Sequence, residues 1–95
     1  MKLRFEGPIW YWKGPAPHYF VTVPEVESSD IRRVSSIVSY GWGMVPVHAR
    51  IGRTRWKTSL FAKDGCYVLP IKMVVRKAEH LDEGAVVAVQ MEIVV

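Results

Sequence analysis

The sequence contains one cysteine, Cys66, among 95 residues, and it has no long uninterrupted apolar segment. A single cysteine excludes an intramolecular disulfide and is typical of a protein in a reducing compartment. The apolar runs are short and are broken by proline, lysine or arginine, so we expect no membrane-spanning segment and no membrane partner. The first residues, MKLRFEG, lead directly into a strand-like alternation without a signal-peptide apolar region, and we therefore predict a cytoplasmic location.

Motifs for catalysis and for cofactor binding are also scarce. The glycines lie singly at predicted turns, so the chain has no glycine-rich phosphate loop. The histidines at positions 18, 48 and 80 are far apart, and no Cys or His pair has the spacing of metal ligands. Neither Cys66 nor Ser59 has a sequence-adjacent base or a nucleophile elbow. We therefore predict no catalytic residues, no metal site and no cofactor, and we favour a non-enzymatic function.

The length and composition predict one small folded domain over residues 1–95. Apolar residues make up 49% of the chain, which is enough to form a core and argues against disorder. The formal net charge is +4 and the isoelectric point is near 9.5. Such a charge permits an anionic partner without requiring one.

Alternation and turn signals predict a strand at 3–12 and another at 18–23. The dipeptide Gly7–Pro8 indicates a bulge or an edge irregularity in the first strand. The segment KGPAP at 13–17 is a strong loop signal. We therefore expect these two strands to form a hairpin.

Apolar residues recur at spacings of three and four and predict an amphipathic helix over about residues 29–39. The apolar face of this helix contains Ile31, Val34, Ile37 and Val38. Candidate N-caps are Ser28, Ser29 and Asp30, and Gly41 is a candidate C-cap. A second, short helix is expected over about residues 71–81, with Lys72, Arg76 and Lys77 facing outward.

The clearest β pattern is a hairpin with Gly52–Arg53 at its turn. A two-residue turn with glycine first fits type II′. This register places Val45 opposite Leu60, Val47 opposite Thr58, Ala49 opposite Trp56 and Ile51 opposite Thr54. All of these residues then share one face, so the turn length and the alternation independently support the same pairing.

Further strands are expected at 66–69 and at 85–95, with Val87, Val89, Met91 and Ile93 facing inward. Long alternation of strands and helices is missing, which argues against a parallel α/β fold. The fold predicted for this mainly β chain is a small closed antiparallel β-barrel of about six or seven strands, with the longer helix across an opening.

Several segments resemble a known family, the domain of unknown function 1905. They are VTVP at 21–24, GWG at 41–43, IGRTRWKTSLF at 51–61, YVLPIK at 67–72 and VRKAEHLDEG at 75–84. The resemblance covers nearly the whole chain. It implies a small closed β-barrel of bacterial cytoplasmic proteins, and it implies no established activity and no catalytic residues.

The predicted hairpin carries a basic outer face. Arg50 is opposite Arg55, His48 is opposite Lys57, and Arg53 lies at the turn. Like charges directly opposite each other are mildly destabilising in a sheet. One interpretation is a face that binds an anionic ligand or the phosphates of a nucleic acid. The alternative is a solvated face whose charge is neutralised by Glu6 or Glu92 on adjacent strands.

Aromatic residues suggest a second candidate site. Trp10 and Trp12 point to one face of the first strand and Tyr11 to the other, so one set belongs to the core. The other set could stack bases or line a small-ligand pocket. The predicted aromatic pocket consists of Trp10, Trp12, Tyr40 and Trp42, near the barrel mouth.

The leading hypothesis is a non-enzymatic binding module that takes an anionic ligand or a nucleic acid on the basic hairpin. The second is a small-molecule pocket protein or minor enzyme that uses the aromatic barrel mouth. The third is a protein-interaction module, which could form a homodimer through an edge strand or the apolar tail at 91–95.

Overall fold

A computed structural model describes residues 1–38 and 43–94, without the side chains of 36–38. Six strands and two helices follow one another along the chain in the order β1 (Lys2–Trp12), β2 (His18–Val23), α1 (Glu25–Val38), β3 (Val45–Ile51), β4 (Thr54–Lys63), β5 (Cys66–Pro70), α2 (Met73–Ala78) and β6 (Val86–Ile93). The predicted strands are all present, and their number confirms the expectation of six or seven.

The six strands close into an antiparallel barrel in the order β1-β2-β5-β4-β3-β6. Strand β1 pairs with β6 over residues 2–8 and with β2 over residues 9–12. This change of partner directly follows Gly7–Pro8, the dipeptide that the sequence marks as irregular. A Cβ atom at Gly7 would lie 3.2 Å from Val21 Cγ1, so glycine suits the close approach of the strands there.

The β3–β4 hairpin has the predicted register in full. Its Cα partners run from Ile51 with Thr54 at the turn to Val45 with Leu60 at the far end. Gly52 has a φ of 59°, whereas Arg53 is not among the residues with positive φ, as a type II′ turn requires. Turn chemistry and alternation together therefore fix which side chains face outward.

The barrel interior is filled by side chains. Alternate residues of every strand point inward, and in β6 these are the predicted set Val87, Val89, Met91 and Ile93. Two residues of the apolar tail, Met91 and Ile93, are thus part of the core, and Val95 lies outside the described residues. Closure also leaves the described strands without a long free edge, whereas Val94 of the tail is exposed, so a homodimer stays a prediction.

Helix α1 begins at Glu25, four residues before the predicted start. The amide of Ser28 already donates a helical hydrogen bond to the carbonyl of Pro24 at 2.8 Å. The assignment of Ser28, Ser29 and Asp30 as N-caps is therefore wrong, because all three lie within the helix. Glutamates at 25 and 27 provide negative charge at the helix start, where it is favourable. The predicted C-cap, Gly41, lies outside the described residues.

Ser28 has a structural role instead. Its side chain is fully buried, and its hydroxyl donates to the carbonyl of Val23 at 2.8 Å and accepts from the amide of Tyr67 at 3.0 Å. One hydroxyl thus forms hydrogen bonds with the backbone carbonyl of the last residue of β2 and with the backbone amide of an early residue of β5. Together with Ile31, which is buried in the core, it fixes α1 over one end of the barrel.

Helix α2 covers the opposite end and is shorter than predicted, because it ends at Ala78 rather than near Leu81. His80 has a φ of 54°, and the amide of Leu81 donates to the carbonyl of Arg76 at 2.9 Å. This is the Schellman termination, which stops the helix without glycine. The outward position predicted for Arg76 is also wrong, since its guanidinium carbon lies 3.7 Å from the centroid of the Tyr19 ring.

We predict that Ser28→Ala lowers the free energy of unfolding by about 2 kcal/mol, because it removes two hydrogen bonds and leaves buried backbone groups unpaired. Urea denaturation followed by circular dichroism measures this change. Ser35→Ala is the matched control on the same helix, where, among the described residues, the hydroxyl bonds only to the carbonyl of Arg32 at the surface. Equal effects of the two substitutions would contradict the role assigned to Ser28.

Candidate functional site

The outer wall formed by β1, β6, β3 and β4 is basic. Cross-strand pairing aligns two rows of outward side chains on it. We call the first the arginine row; it consists of Arg4, Gln90, Arg50 and Arg55. The second, the mixed row, consists of Lys2, Glu92, His48 and Lys57. Both rows line one surface groove of about 760 Å³. We call the surface formed by the two rows the basic wall.

The arginine row carries three guanidinium groups and no carboxylate. Arg50 and Arg55 are direct cross-strand partners, and Gln90 separates Arg50 from Arg4. Arg50 Nη2 donates to Gln90 Oε1 at 2.7 Å, which orients the guanidinium but leaves its charge unneutralised. Within residues 1–38 and 43–94, Arg4 and Arg55 have no salt bridge and no side-chain hydrogen bond. The row therefore concentrates positive charge that the neighbouring side chains do not offset.

The glutamates expected to neutralise this face do so only weakly. Glu92 lies in the mixed row between Lys2 and His48, yet within the described part of the chain it forms no salt bridge. Glu6 is paired with Ala88, outside both rows. The lining of the groove contains five lysine and arginine residues against the single Glu92. Among the described residues, the basic side chains of the hairpin are therefore not paired with either glutamate.

Four of the five predicted basic residues line this groove: Arg50, Arg55, Lys57 and His48. Arg53 is exposed at the turn and lies outside it. The sequence analysis missed Lys2 and Arg4, which join the site only because β6 lies between β1 and β3. The alternation of the first strand predicts that both side chains face outward. Nothing in the local sequence of that strand shows that it lies one strand away from the hairpin.

A second groove, of about 930 Å³, lies on the outer wall formed by β1, β2, β5 and β4. Its walls carry Trp12 and Phe61, whose surfaces are 39% and 40% exposed. Its floor consists of Phe20, Val68 and Pro70, which are buried. We call this surface the aromatic groove. Large apolar side chains exposed together at a concave surface often mark a binding site.

The rings of Trp10, Trp12 and Phe20 are held in place by their neighbours. The Phe20 ring lies 5.2 Å from that of Trp10 and 6.4 Å from that of Trp12, measured between centroids. Trp10 Nε1 also donates to Thr22 Oγ1 at 3.0 Å. At Gly14 a Cβ atom would lie 2.4 Å from two atoms of the Trp12 ring, so the loop after β1 can approach that ring only with glycine there. The ring surface is therefore pre-organised.

The aromatic pocket predicted from the sequence is only partly recovered. Trp10 and Trp12 line a groove on the outer wall rather than the mouth of the barrel, because β1 directs Ile9 into the core and helices cover the barrel ends. Tyr40 and Trp42 lie outside the described residues.

Two further rings line the groove: Phe20, which belongs to the same aromatic-rich segments but was not assigned to the predicted pocket, and Phe61, which was missed. The signal for Phe61 was its place on the outward face of β4, where a large apolar side chain is unexpected.

His18 contributes a titratable group to the aromatic groove. Its ring lies 5.4 Å from the Phe20 centroid in an edge-on arrangement. Burial lowers the pKa of His18 below its usual value of 6.5, and the positive charge of Arg76 lowers this pKa further. The folded protein therefore favours the neutral imidazole.

We predict that the protein loses stability as the pH falls from about 7 toward 5, because unfolded His18 takes up a proton near pH 6.5 while the folded form resists it. The stabilising contribution is complete above 6.5 and is lost as the pH falls toward the lowered folded pKa. Thermal melts of the wild type and of His18→Gln across this range test it. The variant should show a flatter profile, and superimposable profiles would count against the assignment.

Within the described residues, no group of three or more His, Cys, Asp or Glu side chains could hold a metal ion. No helix among them is long and apolar enough to cross a membrane.

Residues 5–91 match the family model described as Domain of unknown function (DUF1905), which covers nearly the whole chain. The chain therefore belongs to this family, and the resemblance inferred from its motifs is confirmed. No curated protein matches the sequence.

Proposed function

We propose that this DUF1905 domain is a non-enzymatic binding module that holds the phosphate backbone of a nucleic acid on its basic wall. The observation that supports the proposal most directly is the arginine row, in which Arg4, Arg50 and Arg55 extend across four adjacent strands without an intervening carboxylate. Neighbouring strands lie about 4.8 Å apart, so the row extends roughly 14 Å across the wall.

Repulsion within the row gives the proposal its physical basis. Cβ atoms of directly opposed residues, such as Arg50 and Arg55, lie about 5 Å apart in an antiparallel pair. Like charges on directly opposed residues are destabilising in a sheet, and a bound anion would relieve the repulsion. Guanidinium groups match phosphate oxygens with two parallel hydrogen bonds, which makes arginine well suited to such a ligand.

The extent of the wall favours a polymer over a small anion. The mixed row runs beside the arginine row and adds Lys2 and Lys57, so the cationic groups are distributed over both rows. A single phosphate could contact only a few of them. A nucleic acid strand presents phosphates at regular intervals and can contact several at once, releasing condensed counterions as it binds.

We predict that Arg50→Ala combined with Arg55→Ala weakens binding of labelled DNA and RNA oligonucleotides at least about tenfold at low salt and leaves the fold intact. Fluorescence anisotropy over a range of salt concentrations measures this. The plot of log affinity against log salt should be linear, and its slope should become shallower by about 1.4 to 1.8 when two phosphate contacts are lost.

A variant with equal loss of charge elsewhere provides the control. Arg33→Ala combined with Lys77→Ala removes two exposed cationic side chains from the helices, away from the basic wall. It should retain most of the affinity and the wild-type slope. If the two double variants weaken binding equally, net charge alone accounts for the effect. Absence of wild-type binding even at low salt would refute the proposal.

We also infer a bacterial cytoplasmic setting for this activity. The resemblance to the family implies it, and the single cysteine is consistent with a reducing compartment. Cys66 is a free, half-buried thiol beside the β4–β5 turn. Fractionation of the native host should find the protein in the cytosolic fraction.

A further inference from the structure

We propose that the nucleic acid bound by this domain is single-stranded, and that its bases stack in the aromatic groove while its phosphates follow the basic wall. This inference rests on the proposed function and specifies the form of its ligand. It depends on three features of the described residues: the two grooves share strands, the aromatic groove is bordered by lysines, and two of its rings, those of Trp12 and Phe61, are exposed.

Both β1 and β4 contribute to the two grooves, and the shorter path between the grooves runs along β4. Its outward residues Arg55 and Lys57 line the basic wall, and the next outward residues along it, beginning with Ser59, line the aromatic groove. Outward residues recur about every 6.8 Å along a strand, so Lys57 and Phe61 are separated by only about 14 Å. A flexible strand can therefore pass from one groove to the other along β4.

The charge around the aromatic groove suits the same ligand. Lys63 and Lys72 line it, and among the described residues no acidic side chain does so. Lys63 also forms an exposed salt bridge with the neighbouring Asp64, at 3.7 Å from Nζ to Oδ2. Lys63 Nζ lies 5.9 Å from the centroid of the Trp12 ring, so a cation is already placed beside the exposed ring. Stacking rings with cations along their border are the arrangement by which proteins bind single strands without reading their sequence.

The exposed rings distinguish a single strand from a duplex. In a duplex the faces of the bases are stacked on one another and cannot contact protein rings. In a single strand each base has an accessible face, and stacking on an aromatic side chain strengthens binding. Trp12 and Phe61 offer ring surface to such bases, and the buried Phe20 ring lies against Trp10 and Trp12.

The test compares three labelled probes of equal length by fluorescence anisotropy: a 20-residue oligothymidylate, a duplex, and a strand of abasic phosphodiester units. The wild type should bind the oligothymidylate most tightly. Trp12→Ala combined with Phe61→Ala should weaken that binding about tenfold or more. It should leave the affinities for the duplex and the abasic strand nearly unchanged, because those depend on phosphate contacts.

Two further double variants serve as controls for the loss of the rings and for the loss of exposed apolar surface. Trp12→Phe combined with Phe61→Tyr keeps a ring at both positions and should retain most of the preference for the oligothymidylate. Val26→Ala combined with Val86→Ala removes exposed apolar surface outside the groove and should behave as the wild type. Circular dichroism verifies that each variant is folded.

The outcomes separate the two proposals. Equal affinity of the wild type for the oligothymidylate and the abasic strand, or a preference for the duplex, would overturn base stacking and leave the basic wall as the binding site. Unchanged oligothymidylate binding by the Trp12 and Phe61 alanine variant would do the same. If the wild type binds none of the three probes, the proposed function itself fails.

Discussion

The pairing of β6 between β1 and β3 is the constraint on which the rest of the molecule depends. The position of β6 between these strands closes the barrel. Because Gln90 pairs with both Arg4 and Arg50, β6 also aligns these two arginines across the sheet. Closure lets alternate residues of all six strands fill the interior, while α1 and α2 cover its ends. Because the interior is occupied by side chains, the candidate binding surfaces lie on the outer wall. The same pairing thus forms the core and assembles the basic wall.

The basic wall is charged and the aromatic groove is apolar, and each surface has an energetic cost in the free protein. On the basic wall, unneutralised guanidinium groups repel one another. In the aromatic groove, Trp12 and Phe61 expose apolar surface that a core would otherwise bury. A ligand that is both anionic and aromatic offsets both costs. A nucleic acid strand has these two properties in every residue, which is the reason we propose one ligand for two surfaces that share β4.

Local signals in the sequence predicted much of this fold. The Gly52–Arg53 turn and the alternation around it gave the complete β3–β4 register, because turn length and side-chain period independently specify the same pairing. The helix boundaries were less predictable. Ser28 has the residue type of an N-cap but is used to connect β2, β5 and α1, and α2 ends on His80 in a conformation that usually favours glycine. Long-range pairing was least accessible, so the contribution of Arg4 to the site could not be predicted.

Chemical-shift mapping by NMR tests the central claim most directly. Titrating isotope-labelled protein with unlabelled oligothymidylate should shift the amide signals of Arg50 and Arg55, those of outward residues along β4, and the indole signal of Trp12. The amide of Val26 in α1 provides an internal control, because this residue lines neither groove. That signal should stay in place. Shifts confined to the helices, or the absence of shifts at saturating oligonucleotide, would contradict the account.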